Sequence, residues 1–115
     1  MTEISGLYKN TTGAIADAEA LAKRKEMEAT VEGMLSSDYK ARFKAEYQQT
    51  KIRYERLKAF CNKIEAAVET IKTANAYPMP KHDCPYGLLR DQQSAMGEYL
   101  HILEIRAVIE GVDLQ

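Results

Sequence analysis

The sequence predicts an all-α protein, an N-terminal helix plus a long antiparallel helical hairpin, assembled as a helical oligomer. Three observations predict it. Phe43, Tyr47, Thr50, Tyr54, Leu57, Cys61, Ile64, Val68 and Ile71 are spaced alternately by four and three residues, an unbroken heptad seam. All three prolines, Pro78, Pro80 and Pro85, fall between that seam and a second apolar pattern of helical period. No segment alternates apolar and polar residues as a strand does. At 115 residues the chain provides one small domain whose core needs long elements or subunit association. It divides into an N-terminal arm and helix, residues 1–37, and a helical hairpin domain, residues 38–115.

The elements follow in order. Residues 1–10 show no apolar period and read as an arm that leads to a helix cap. From about Thr12 to Leu35 the chain is rich in Ala, Glu, Lys and Met, with Met27, Val31, Met34 and Leu35 on one helical face. Gly33 and the run Ser36-Ser37-Asp38 mark its stop, and Asp38 is a good N-cap for the next helix. That helix spans about Tyr39 to Thr73. It is roughly 50 Å long at about 1.5 Å per residue, against a radius of gyration of about 13 Å for a compact chain of this size. The segment from Asn75 to Pro85 is a non-helical connection. The last helix starts with Asp83 or Cys84 as cap and Pro85 at its first position, and ends near Glu110 with Gly111 as C-cap and Val112 folding back.

The last helix carries two apolar ridges. Leu88, Ala95, Ile102 and Ile109 form one; Leu89, Met96 and Leu103 form the other. A hairpin needs only one, so the second argues for subunit contact. Between the ridges Gln92, Tyr99 and Arg106 recur every seventh residue as a polar row. Inside or beside an assembly Gln92 and Arg106 of this row need partners, and Glu46 and Glu55 of the opposing helix are available. Two readings stay open: the row fixes register and oligomeric state, or part of it lines a ligand pocket.

Charge and composition narrow the function. The net charge is -1, which argues against a uniformly basic, nucleic-acid-coating surface. From Asp38 to Lys63 there are eight basic and three acidic residues, and from Cys84 to Gln115 two basic and five acidic, which suits pairing of a basic with an acidic helix. The two cysteines lack zinc spacing, no cofactor motif is present, and no run approaches the roughly 20 apolar residues of a membrane span. No signal peptide is apparent, so a cytoplasmic protein with reduced thiols is expected. No nucleophile with its base, carboxylate pair or glycine-rich phosphate loop appears, and His101 reads as a partly exposed helix residue, so an enzyme is not expected. Binding remains. Tyr39, Lys40, Arg42, Lys44, Tyr47, Lys51, Arg53, Tyr54 and Arg56 interleave aromatic and basic groups, as a nucleotide-binding surface requires. The same pattern also suits a core seam of tyrosines beneath a solvated charged face.

The pairing of DYKARFKAEYQQTKIRYERLKAF with CPYGLLRDQQSAMGEYLHILEIRAVIEGVDL resembles the helical hairpin domain of phage proteins that sequester cyclic-nucleotide immune signals, the anti-CBASS and anti-Thoeris sponges. The most specific part is LL-x-x-Q-x-x-AM-x-x-Y-x-x-IL-x-x-R, met by Leu88, Leu89, Gln92, Ala95, Met96, Tyr99, Ile102, Leu103 and Arg106. The resemblance covers about residues 38–114. It implies a non-enzymatic protein in the host cytoplasm that binds cyclic di- or trinucleotides, or cyclic ADP-ribose-like signals, as a symmetric homo-oligomer, often a hexamer, with pockets between protomers. The hairpin of such proteins is mainly the assembly scaffold.

If a ligand is bound, the expected contacts are Tyr8, Lys9, Thr11, Thr12, Lys40, Arg42 and Lys44, polar or aromatic groups near helix junctions that a neighbouring subunit can complete. Leu57, Cys61, Ile64 and Val68 are committed to packing. Two alternatives remain: a phage helical interaction module that docks on another protein and binds no nucleotide, and a weak, non-specific single-stranded nucleic-acid binder.

Overall fold

The computed structural model describes the backbone of residues 2–115 and the side chains of residues 16–115. The chain is all-helical, with α1 spanning Thr2–Met34, α2 Tyr39–Thr70 and α3 Tyr86–Glu110. α2 is the central element; α1 and α3 both pack against it. Helix α1 runs through the segment expected to be an arm, so residues 2–10 continue the helix.

Each turn has a local chemical cause. The Asp38 carboxylate accepts from the Lys40 backbone N–H at 3.2 Å, which satisfies one of the orphan donors at the start of α2. Arg42 donates to the Ser36 carbonyl at 2.9 Å and braces the α1–α2 turn. α2 stops at Thr70, three residues short of the expected Thr73. There the Thr70 hydroxyl donates to Ala66 O at 2.6 Å and accepts from the Tyr77 N–H at 2.8 Å, turning the chain into the connection. Pro85 is the N-cap of α3 and not its first residue, with Tyr86 following. Gly111 adopts φ +69°, the left-handed conformation glycine tolerates best, and the Val112 N–H returns to Ala107 O at 2.9 Å. That return buries Val112.

The hairpin core is the predicted seam with its far end uncovered. Phe43 and Tyr47 pack with Leu100, Leu103, Ala107 and Val112, and Tyr54 lies against this cluster. Farther along α2, Cys61, Ile64 and Ala67 are buried. Val68 and Ile71, expected to be packed, are 52% and 69% exposed, whereas the adjacent Ile64 and Ala67 are buried, so the covered face of α2 departs from the seam at this end.

The α1 contact also departs from expectation. Val31, Met34 and Leu35 are exposed, and among the described side chains of α1 the buried one is Thr30, whose hydroxyl donates to Met27 O at 2.7 Å. Gly33 explains the choice of face. A Cβ built on it would meet the Ala45 Cβ at 2.9 Å and the Ala41 carbonyl oxygen at 3.3 Å. Small residues on both helices permit this close approach, so Gly33 serves packing, and α1 ends one residue later at Met34, where the sequence placed its stop.

The hairpin is joined chiefly by tyrosines bonded to carboxylates. Across the α2–α3 interface Tyr39 donates to Glu110 at 2.7 Å, Tyr47 to Glu104 at 2.5 Å and Tyr99 to Glu46 at 2.7 Å. Among the described residues the one ion pair between the two helices joins Arg90 of α3 to Glu65 of α2 at 2.5 Å. The expected pairing of α2 cations with α3 carboxylates is therefore not found among the described residues; Tyr hydroxyls of α2 bond Glu104 and Glu110 instead. The positive charge of α2 stays largely on its other faces.

Candidate functional site

The polar row of α3 is exposed on the single chain and does not lie in a buried face. Gln92 faces solvent, Glu46, expected to serve Gln92 or Arg106, accepts instead from Tyr99, and Glu55 forms no hydrogen bond or ion pair with the row. Arg106 bonds Glu110 at 2.9 Å and the Tyr39 hydroxyl at 2.8 Å, and its guanidinium lies 5.0 Å from the centroid of the Phe43 ring. Hydrogen bonds from Tyr39 and then Arg106 hold the Glu110 carboxyl below its ordinary range. The row joins α3 to the start of α2. Of the flanking ridges, Leu103 is buried and Leu89 and Met96 are half-buried, whereas Leu88, Ala95, Ile102 and Ile109 are exposed.

The other expected contacts fall on different sides of the molecule. Lys40 donates to Gly111 O at 3.3 Å and Lys44 to Gln115 O at 2.7 Å, so both hold down the segment after α3. Arg42 points instead to the α1–α2 turn. The structure brings Lys40 and Lys44 together but separates them from Arg42. Tyr8, Lys9, Thr11 and Thr12 lie outside the residues whose side chains are described.

What the structure assembles is a cleft between α1 and α2. Beyond the tight contact at Gly33, the two helices enclose a cavity of about 530 Å³. Its apolar surface comes from Ala29 of α1, Ile52 and Ala59 of α2, and Leu114 from the segment after α3. Tyr47 and Gln48 close one side. Five charged groups line it: Lys23 and Glu26 on α1, Lys51, Glu55 and Arg56 on α2, all exposed. The Lys51 ammonium sits 5.9 Å from the centroid of the Tyr47 ring. A second cavity of about 160 Å³, between α2 and α3, shares Tyr47, Lys51 and Glu55 with the first and adds Tyr54, His101 and Glu104. Burial, and then the hydrogen bond to Glu104, push the Tyr47 phenol up to about 12, so it stays protonated.

The aromatic and basic segment of α2 thus pointed toward this cleft through Tyr47, Lys51 and Arg56. The α1 side was missed, because Lys23 and Glu26 sit in a run rich in alternating charge that carries no distinguishing period. Leu114 was missed because its place follows from the turn at Gly111.

Chemically the cleft offers cations for phosphate, an aromatic edge and apolar surface for a base, and carboxylates for hydrogen-bond donors. Its volume falls within the roughly 300–1,000 Å³ range of small-molecule sites. Among the described residues no group of three or more His, Cys, Asp or Glu is placed to hold a metal ion. No helix there is long and apolar enough to cross a membrane.

These features define an all-α chain in which a helical hairpin and a third helix frame an open, charged cleft. The chain belongs to the Sequestin family, whose model matches residues 37–109. That range covers nearly all of the hairpin and leaves the whole of α1 outside, and the family name suggests a sequestering function. No curated protein and no solved structure matches the chain.

Proposed function

We propose that this protein is a non-enzymatic phage immune-evasion protein that binds host-made cyclic di- or trinucleotides, or cyclic ADP-ribose-like signals, and withholds them from their effector in the host cytoplasm. One observation supports this reading above the others: the family-matched stretch contributes Tyr47, Lys51 and Arg56 to one wall of a cleft of nucleotide size. Lys51, Arg56 and Lys23 supply charge-assisted hydrogen bonds to phosphate, and the Tyr47 edge with Ile52 and Leu114 supplies apolar surface for a base. Sequestration needs no transformation of the ligand. It needs a dissociation constant below the signal's concentration, a stoichiometric supply of sites and slow release.

Isothermal titration calorimetry against cyclic di-AMP, cyclic di-GMP, a cyclic trinucleotide and cyclic ADP-ribose tests this. Saturable heat with at least one of them is expected. No heat with any favours the alternative of a phage helical assembly and interaction module, a reading supported by the exposed apolar ridge of α3.

A further inference from the structure

The cleft contains carboxylates that a site built for phosphate alone would not keep. Glu26 on the α1 wall and Glu55 on the α2 wall each repel an anion, yet both line the same cavity as Lys23, Lys51 and Arg56. Helical spacing gives them neighbours: Lys23 and Glu26 are three residues apart, Lys51 and Glu55 four. Among the described residues the ion pairs are Arg24–Glu28, Arg90–Glu65 and Arg106–Glu110, so none of these five groups forms an ion pair with another. An ionised carboxylate can only accept hydrogen bonds, and an ammonium or guanidinium can only donate. The ligand that satisfies both therefore carries acceptors and donors side by side.

Resting on the sequestration reading, we infer that α1 is half of the ligand-selecting surface. Glu26, with Glu55 facing the same cavity, accepts from ribose hydroxyl or base amino groups, while Lys23, Lys51 and Arg56 hold the adjoining phosphates. The cleft thus selects a ribonucleotide over a bare polyanion. Lys51 and Glu55 border both cavities, so a ligand held there has room to extend toward Tyr54 and His101. Lys23 and Glu26 lie outside the family-matched range, which makes this selectivity a property that α1 adds to the hairpin.

The sign of one substitution decides the matter. If Glu26 is only a like-charge neighbour, Glu26→Gln removes repulsion and tightens binding of an anion. If it accepts from the ligand, the same change weakens binding. The test is calorimetry on the full chain with cyclic di-AMP, cyclic di-GMP, cyclic ADP-ribose and inorganic pyrophosphate. For the nucleotide that binds, Lys23→Ala and Lys51→Ala are each expected to weaken affinity about tenfold, Glu26→Gln to weaken it about fivefold, and pyrophosphate to bind about a hundredfold less tightly than the nucleotide. The substituted residues are exposed, and unchanged circular dichroism confirms the fold of each variant. Nucleotide binding that Glu26→Gln leaves equal or tighter overturns the role of α1 and leaves sequestration standing. Absence of binding by the parent to all three nucleotides overturns sequestration and this inference with it.

Discussion

Tyr47 serves the core and the cleft at once. Only 7% of its surface is exposed, its hydroxyl crosses to Glu104 on α3, and its ring borders both cavities. The heptad spacing marks it as core, and the neighbouring Lys44 and Lys51 mark it as part of a basic and aromatic surface; on a helix with neighbours on two sides both are true. Tyr47→Phe keeps the packing and removes the hydrogen bond. Urea denaturation at neutral pH is expected to show a loss of about 1 kcal/mol, since the stranded Glu104 carboxylate is exposed and can be solvated. The pH dependence has a definite sign. The folded value near 12 lies above the ordinary 10, so the stability this phenol contributes is complete below pH 10 and is lost as pH rises through 12. Across that window the parent should lose stability more steeply than Tyr47→Phe, and absorbance titration of the variant should lack the latest tyrosine step. Equal slopes would show that the phenol is not held protonated.

At the scale of the element, α2 is a rod with two contact faces of different character. Its α3 face uses large residues at heptad spacing; its α1 face uses Ala41 and Ala45 against Gly33. The first was legible because large apolar residues at intervals of three and four stand out from any surface. The second was not, since Ala and Gly mark a close approach only once the opposing helix is known. Gly33→Ala is expected to push α1 off α2 despite the gain in helix propensity of about 1 kcal/mol, because the added Cβ would lie 2.9 Å from the Ala45 Cβ, which is fixed to the α2 backbone, and 3.3 Å from the Ala41 carbonyl. Hydrogen exchange should accelerate through residues 16–34 while α2 and α3 keep their protection. Gly87→Ala is the control: nothing lies within 4 Å of its added Cβ, and about 0.4–1 kcal/mol of stabilisation is expected. Equal α1 protection in Gly33→Ala and the parent would refute the packing role.

The whole molecule is extended, 57 × 37 × 23 Å with a radius of gyration of 18.9 Å against about 13 Å for a compact chain of this length. Its three helices are not wrapped around one core; two flank the third. Leu88, Ile102, Ile105, Val108 and Ile109 remain exposed on α3, with Val108 at 85%. Exposed apolar side chains on one helix are what contact between copies of the chain would cover. Light scattering is expected to give a mass above the 13.0 kDa of one chain, and Ile102→Glu with Ile109→Glu to reduce it. A parent mass of 13 kDa would show that this ridge does not join copies of the chain.

The sequence by itself determined the helical class, the hairpin, the Asp38 cap, the Gly111 turn and the two ridges of α3. These follow from local backbone chemistry and from the period of large apolar side chains, both of which depend only on neighbours in the chain. Tertiary structure decided which ridge is covered, where the polar row lies and where the cleft forms. Lys40 and Lys44 share the residue types of Lys23 and Lys51, but the former hold the C-terminal segment and the latter line the cleft. The difference lies in direction. A charged side chain's partner is set by the angle at which distant helices meet, and here that angle depends on the close approach of Gly33 to Ala45 and on the return of the chain at Val112.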